Sequence, residues 1–220
     1  MKAIILILAL SFLLLLTTTE QFTSGRKHCL DKDFTVEALL VEPSQHFDDV
    51  HTIYFSTSLQ RQRIDVNIME PEPLAFSLYL RYDQGKMYIY DKKRDKCLVH
   101  ALHGRLEPFC LSRNANHTGT VIIGGSLKAD VWKENREGFK VRLILSSYRE
   151  IPINIFTKGG THSGVVMQEW FNYKVGVESE KVFDIPSACK KSTPSQELED
   201  APYVPLKELA KRMNKMFAGW

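Results

Sequence analysis

The sequence predicts a mainly β protein, two antiparallel sheets curled around a hydrophobic interior and followed by a C-terminal helix. Apolar and polar side chains alternate with period two over several runs between Asp33 and Val177, the signature of strands with one buried face. Turns containing glycine separate many of these runs, and tight turns between short strands make antiparallel hairpins. Four cysteines, Cys29, Cys97, Cys110 and Cys189, contain no Cys-x-x-Cys spacing, so disulfides are expected rather than zinc.

Lys2 and the apolar run Ala3–Leu16 have the charged start and short core of a secretory signal peptide. Its fourteen residues are fewer than the about 20 that a spanning helix needs. The leader is placed at residues 1–19, with small residues up to Gly25 leaving its end open. No later stretch is apolar and long enough to cross a membrane, so one β domain over residues 29–189 is expected to follow. Arg63–Ile68 sets Ile64, Val66 and Ile68 on one face and polar residues on the other, as a half-buried antiparallel strand requires, and Phe139–Leu145 repeats the pattern. Further strands are expected at Thr35–Val41, Val50–Thr57, Leu74–Arg81, Lys86–Tyr90, Cys97–Leu102, Thr120–Ile123, Ala129–Lys133, Ile153–Thr157 and Val165–Val177. Residues 82–86, 135–138 and 158–161 supply hairpin turns between them. After Cys189 the composition turns polar, and residues 190–220 are read as a linker and an amphipathic helical tail. There Leu206, Leu209, Ala210, Met213, Met216 and Phe217 recur at helical spacing behind Pro205.

A formal net charge of +3 argues against a nucleic-acid partner. The sequon Asn116-His117-Thr118 fits an exported chain, because glycan addition needs lumenal passage and an exposed site. Catalytic constellations are weak. Gly160-Thr161-His162-Ser163-Gly164 has its serine in the fourth position of a hairpin, not at the centre of a strand-to-helix elbow. His100 and His103, three apart in a strand, point to opposite faces and read as surface histidines. Asp31, Asp33, Asp48, Asp49, Glu197, Glu199 and Asp200 could offer oxygens to calcium, yet none forms an EF-hand loop. Aromatic residues on strands fill a core, and a curled sheet pair also leaves room for an apolar cavity, the usual form of a small-molecule site. Trp132, Phe139, Trp170 and Phe171 are the candidates to line it. Composition alone leaves three cysteine pairings open.

Three blocks resemble the ependymin family of secreted glycoproteins, over nearly all of Cys29 to Cys189. Phe55-Ser56-Thr57-Ser58-Leu59-Gln60-Arg61-Gln62-Arg63-Ile64 is similar to that family's early hairpin. Leu80 to Asp91, continuing to Lys96-Cys97, is similar to its Gly-x-hydrophobic-aromatic hairpin ending in cysteine. Phe171, Gly176, Val177, Phe183, Pro186 and Cys189 match its closing frame. The resemblance implies antiparallel sheets around a deep hydrophobic pocket, similar to bacterial lipoprotein carriers. It also implies an extracellular glycoprotein without catalytic activity or obligatory cofactor, with a lipid-like ligand, calcium, extracellular matrix and a homodimer as associations known among members. Molluscan relatives occur in shell matrix, which makes a structural matrix component the alternative function. Many members carry a cysteine two residues before the proline matching Pro152, where this chain has Glu150. The pairing that the resemblance implies is therefore Cys97 with Cys189, and Cys29 with Cys110.

Overall fold

A computed structural model describes residues 28–43, 47–68, 74–136, 138–159 and 162–191. The leader, the acidic residues 197–200 and the expected amphipathic helix over Leu206–Phe217 lie outside the described residues. Eleven strands follow one another: β1 (Asp33–Glu42), β2 (Phe47–Ser56), β3 (Arg61–Ile68), β4 (Leu74–Arg81), β5 (Lys86–Asp91), β6 (Lys96–Ala101), β7 (Asn116–Ile123), β8 (Leu127–Arg136), β9 (Phe139–Ser146), β10 (Pro152–Gly159) and β11 (His162–Val175). Each run expected from the alternation overlaps one of them, the turn expected at 82–86 lies between β4 and β5, and the segments 135–138 and 158–161 fall at the ends of the antiparallel pairs β8–β9 and β10–β11.

The mainly antiparallel β architecture is as the sequence predicts, but the two sheets are continuous. The strand order is β6-β5-β4-β3-β2-β1-β11-β10-β9-β8-β7, so two meanders, β1–β6 and β7–β11, meet at a central seam. There β1 pairs antiparallel with β11, from Phe34 opposite Val175 to Val41 opposite Met167. Alternation tells which face a side chain takes and says nothing of which strand lies alongside, so the seam is invisible to it.

One face of the sheet carries the core. Phe34, Val36, Ile53, Phe55, Ile64, Val66, Phe76, Leu78 and Ile89 form a buried cluster over the first meander. Trp132, Val141, Leu143, Leu145 and Ile155 form a second over the other. Residues 102–115 cross this inner face as a cover: Leu106 joins the first cluster, Leu111 the second, and Phe109 packs against both.

On the outer face of β4–β6, Tyr79, Tyr88 and Val99 bury Cys189. A 3-10 turn (Glu180–Phe183), capped by the Ser179 hydroxyl, leads there into a single helical turn, α1 (Ser187–Lys190). Arg63 anchors this segment. Its guanidinium donates to the Val182 carbonyl at 2.9 Å and to both Asp65 oxygens, and lies over the rings of Tyr54 and Tyr79. Two disulfides hold the two covers, Cys29–Cys110 the inner and Cys97–Cys189 the outer.

Candidate functional site

The cover and the inner face enclose a cavity of about 60 Å³ beside the central seam. Phe34 of β1, Ile53 and Phe55 of β2 and Trp170 of β11 make its wall, and Leu106 and Phe109 of the cover make its roof. Phe34 is the hub, stacked on Phe55 at 4.7 Å and on Tyr173 at 5.3 Å between ring centroids, with Trp170 at 6.1 Å.

Trp170 and Tyr173 share this face because β11 carries a bulge. Residues 171–174 of β11 span only Glu37 to Thr35 of β1, and Asn172 takes a left-handed φ of 54°. Asparagine tolerates that conformation better than most residues. Its amide also donates to Glu37 Oε2 at 2.9 Å. The extra residue shifts the alternation by one position, turning inward a tyrosine that a regular strand would expose. Burial and the hydrogen bond from its hydroxyl to Asp31 hold the Tyr173 phenol well above its ordinary range.

The cover is tied down by backbone as well as sulfur. Leu30 donates to Phe109 O at 2.9 Å and Leu111 to His28 O at 2.8 Å, flanking the Cys29–Cys110 bridge. Gln60, at φ 56°, uses its side-chain amide as a peptide surrogate: Nε2 donates to Leu106 O and Oε1 accepts from Leu106 N, each at 3.1 Å. Polar groups reach the cavity through Gln62, Gln168, Arg105 and Glu107. Gln168 Oε1 accepts from the Trp170 indole at 3.2 Å, which fixes the ring that lines the wall.

Of the four aromatic candidates, Trp170 lines the cavity. Trp132 and Phe139 belong to the second cluster instead. Phe171 is a correction: as the strand neighbour of Trp170 it points to the outer face, where it is 40% exposed. Phe34, Ile53, Phe55, Leu106 and Phe109 are the lining residues that sequence reasoning missed. The apolar island Leu106-Glu107-Pro108-Phe109 beside Cys110 was the available signal for the cover.

Asn116 is exposed at the start of the edge strand β7. The calcium candidates that can be described already have partners in the chain. Asp31 accepts from Tyr173, Asp33 from the Ser58 amide and hydroxyl, and Asp49 Oδ2 lies 2.7 Å from His51 Nε2 in the core. The side chain of Asp48 and residues 197–200 lie outside the described set. Among the described residues no group of three or more His, Cys, Asp or Glu is placed to hold a metal ion. His100 departs from the surface reading: it is half-buried, its Nε2 has no hydrogen-bond partner among the described residues, and burial lowers its pKa. Glu150, at the position where many relatives have cysteine, accepts from His28 Nδ1 at 2.6 Å. A polar contact there ties the start of β10 to the start of the domain, next to Cys29.

One continuous antiparallel sheet, an apolar cavity under a cysteine-pinned cover and a second disulfide on the outer face define a disulfide-braced β protein with an internal apolar site. An uncharacterized conserved protein from Thermus thermophilus shares the fold at 10% identity and a TM-score of 0.50, over 72% of this chain and 88% of that one. Lesser overlaps are found with the Pseudomonas aeruginosa MucA/MucB complex (10% identity, TM-score 0.41, 71% and 56% covered) and a LolA superfamily protein from Nitrosomonas europaea (11%, 0.36, 72% and 92%). The ependymin family model matches residues 71–189, more than half of the sequence, and the chain belongs to the ependymin family. Its two disulfides fit the extracellular setting of that family. No curated protein sequence matches.

Proposed function

We propose that this chain is a secreted, non-enzymatic glycoprotein that holds a hydrophobic ligand at the inner face of its sheet. The observation that carries the reading is the aromatic wall of Phe34, Phe55 and Trp170 under the Leu106–Phe109 roof. A volume of about 60 Å³ is well below the ~300–1,000 Å³ of drug-sized sites. The cavity as it stands therefore takes a ring or the end of a chain, and a whole acyl tail requires the cover to shift. Export through the leader and glycosylation at exposed Asn116 belong to the same proposal.

Titration with a fluorescent fatty-acyl probe, followed through Trp170, tests the ligand. Wild-type protein is expected to bind saturably, and Leu106→Trp, which fills the cavity from the roof, is expected to abolish binding while melting within a few degrees of wild type. Wild-type protein that ignores the probe, or a filled variant that binds as well, would sink the lipid reading.

Association with extracellular or mineralised matrix is the second reading, favoured by an outer sheet face bearing cations without carboxylate partners among the described residues. Calcium, if it takes part, has to compete with the protein donors already on Asp31, Asp33 and Asp49. A homodimer is supported by the edge strand β7. Its backbone has no partner strand on one side among the described residues, and Val121 and Ile122 are 41% and 68% exposed, the profile of an edge open to further pairing. Ile122→Lys is expected to shift a dimer to monomer in sedimentation analysis with the melting temperature unchanged; identical sedimentation would remove β7 from the interface.

A further inference from the structure

The outer face of β8–β10 sets cations against cations. Lys133 of β8 lies directly opposite Arg142 of β9, and Lys140 of β9 opposite Lys158 of β10. Directly opposed side chains are the closest neighbours on a sheet, and like charges there are destabilising. All four side chains are exposed, and among the described residues none has a carboxylate partner. The other meander treats its arginines differently: Arg61 and Arg81 pair with Asp83, and Arg63 with Asp65. Among the described residues, the nearest carboxylate on the cationic face by register is Glu169, one row along and two strands over from Arg142. Glu134, which borders the groove, is turned inward and accepts from the Ser112 amide at 2.8 Å.

An open groove of about 650 Å³ runs over these four residues, with Asn114 and Asn135 along it. The Arg142 guanidinium lies 3.9 Å above the Phe156 ring. Neighbouring strands stand about 4.8 Å apart and alternate residues roughly 7 Å along a strand, so the cations form a compact grid that one linear chain can touch in succession. Amide side chains hydrogen-bond hydroxyl groups, and a guanidinium pairs with oxyanions through its fork of N–H donors. We propose that this groove binds a sulfated polysaccharide of the extracellular matrix, whose sulfates neutralise the opposed pairs. The proposal rests on the extracellular reading above, and it names the matrix partner that reading lacks.

Immobilised heparin is the probe, with the disulfide-intact full chain as the analyte. Retention at physiological salt that falls steeply as salt rises is expected, and K133Q/R142Q should bind on the order of tenfold more weakly. The same variant should melt at or above the wild-type temperature, because it relieves an opposed pair. K86Q/K93Q, equal in charge change but on the other meander, should bind as wild type does. Wild-type protein that flows through would overturn the site. So would equal losses in both double variants, or a lower melting temperature for K133Q/R142Q, which would mark these cations as part of the fold. Binding to phosphatidylserine vesicles in the absence of heparin binding would assign the groove to a lipid surface and overturn the polysaccharide. Export is read separately from the culture medium and ligand binding from the acyl-probe titration, so neither failure can be mistaken for this one.

Discussion

Replacing Cys97 and Cys189 together by alanine is expected to lower unfolding stability by about 2–5 kcal/mol and to release residues 179–190 from the outer face. The bond closes a separation of 92 residues, and long closed loops restrict the unfolded chain most in the entropy model. A local effect adds to that one. Cys189 is 1% exposed and packs against Tyr79, Tyr88 and Val99, so its loss leaves a gap beneath α1. The grip of Arg63 on the Val182 carbonyl, the buried Phe183 ring and the packing of Ile185 against the outer cluster remain. Urea unfolding checks the magnitude, and hydrogen exchange checks the location: β6 and residues 180–190 should lose protection while β9 and β10 keep theirs. Uniform loss across the sheet would mean that the outer cover is integral to the fold and not a strapped-on layer.

Phe34→Ala should cost about 3–5 kcal/mol, the range for emptying a buried aromatic position. The ring is 1% exposed and contacts Phe55, Trp170 and Tyr173, so its removal takes a packing partner from the two strands on either side of β1. It also widens the cavity, and the acyl probe should then bind with altered affinity even where the protein stays folded at low temperature. Phe171→Ala, with the side chain on the opposite face and 40% exposed, is the contrasting case and should stay within about 0.5 kcal/mol of wild type. Similar melting of the two variants would show that the stacked rings contribute no more than an exposed one.

The strands were legible because alternation survives wherever one face is buried. Arg63–Ile68 and Phe139–Leu145 show this most clearly: Ile64, Val66, Val141 and Leu143 are all buried in the sheet's inner face. The seam was not legible, since β1 and β11 meet across almost the whole domain and no local pattern records a partner. The site was half legible. Trp170 stands out as an aromatic on a strand, but its equivalence with Phe171 dissolves once faces are assigned, and the inward turn of Tyr173 depends on a bulge that only the register with β1 reveals. The cover escaped strand reasoning altogether, because residues 102–115 are irregular and held through Gln60, Cys29 and Leu30. The cysteine partners were likewise beyond spacing and came only with the family resemblance. Glu150 could be noted as a departure from that pattern, but its contact with His28 required the fold.

The central seam also dictates when the molecule can mature. Within each meander, strands pair with their sequence neighbours, contacts of short separation that form early and fast. β1 has β2 on one side from the outset, whereas its other edge stays open until β11 has emerged. Through most of synthesis the nascent chain therefore presents an unpaired edge flanked by Leu39 and Val41, the kind of surface that invites wrong pairing. The same late strand brings Trp170 and Tyr173, so the hydrophobic site is completed by the closing event itself. A truncation before β11 would lose the pocket along with the sheet, and ligand binding reports on completed assembly as much as on affinity.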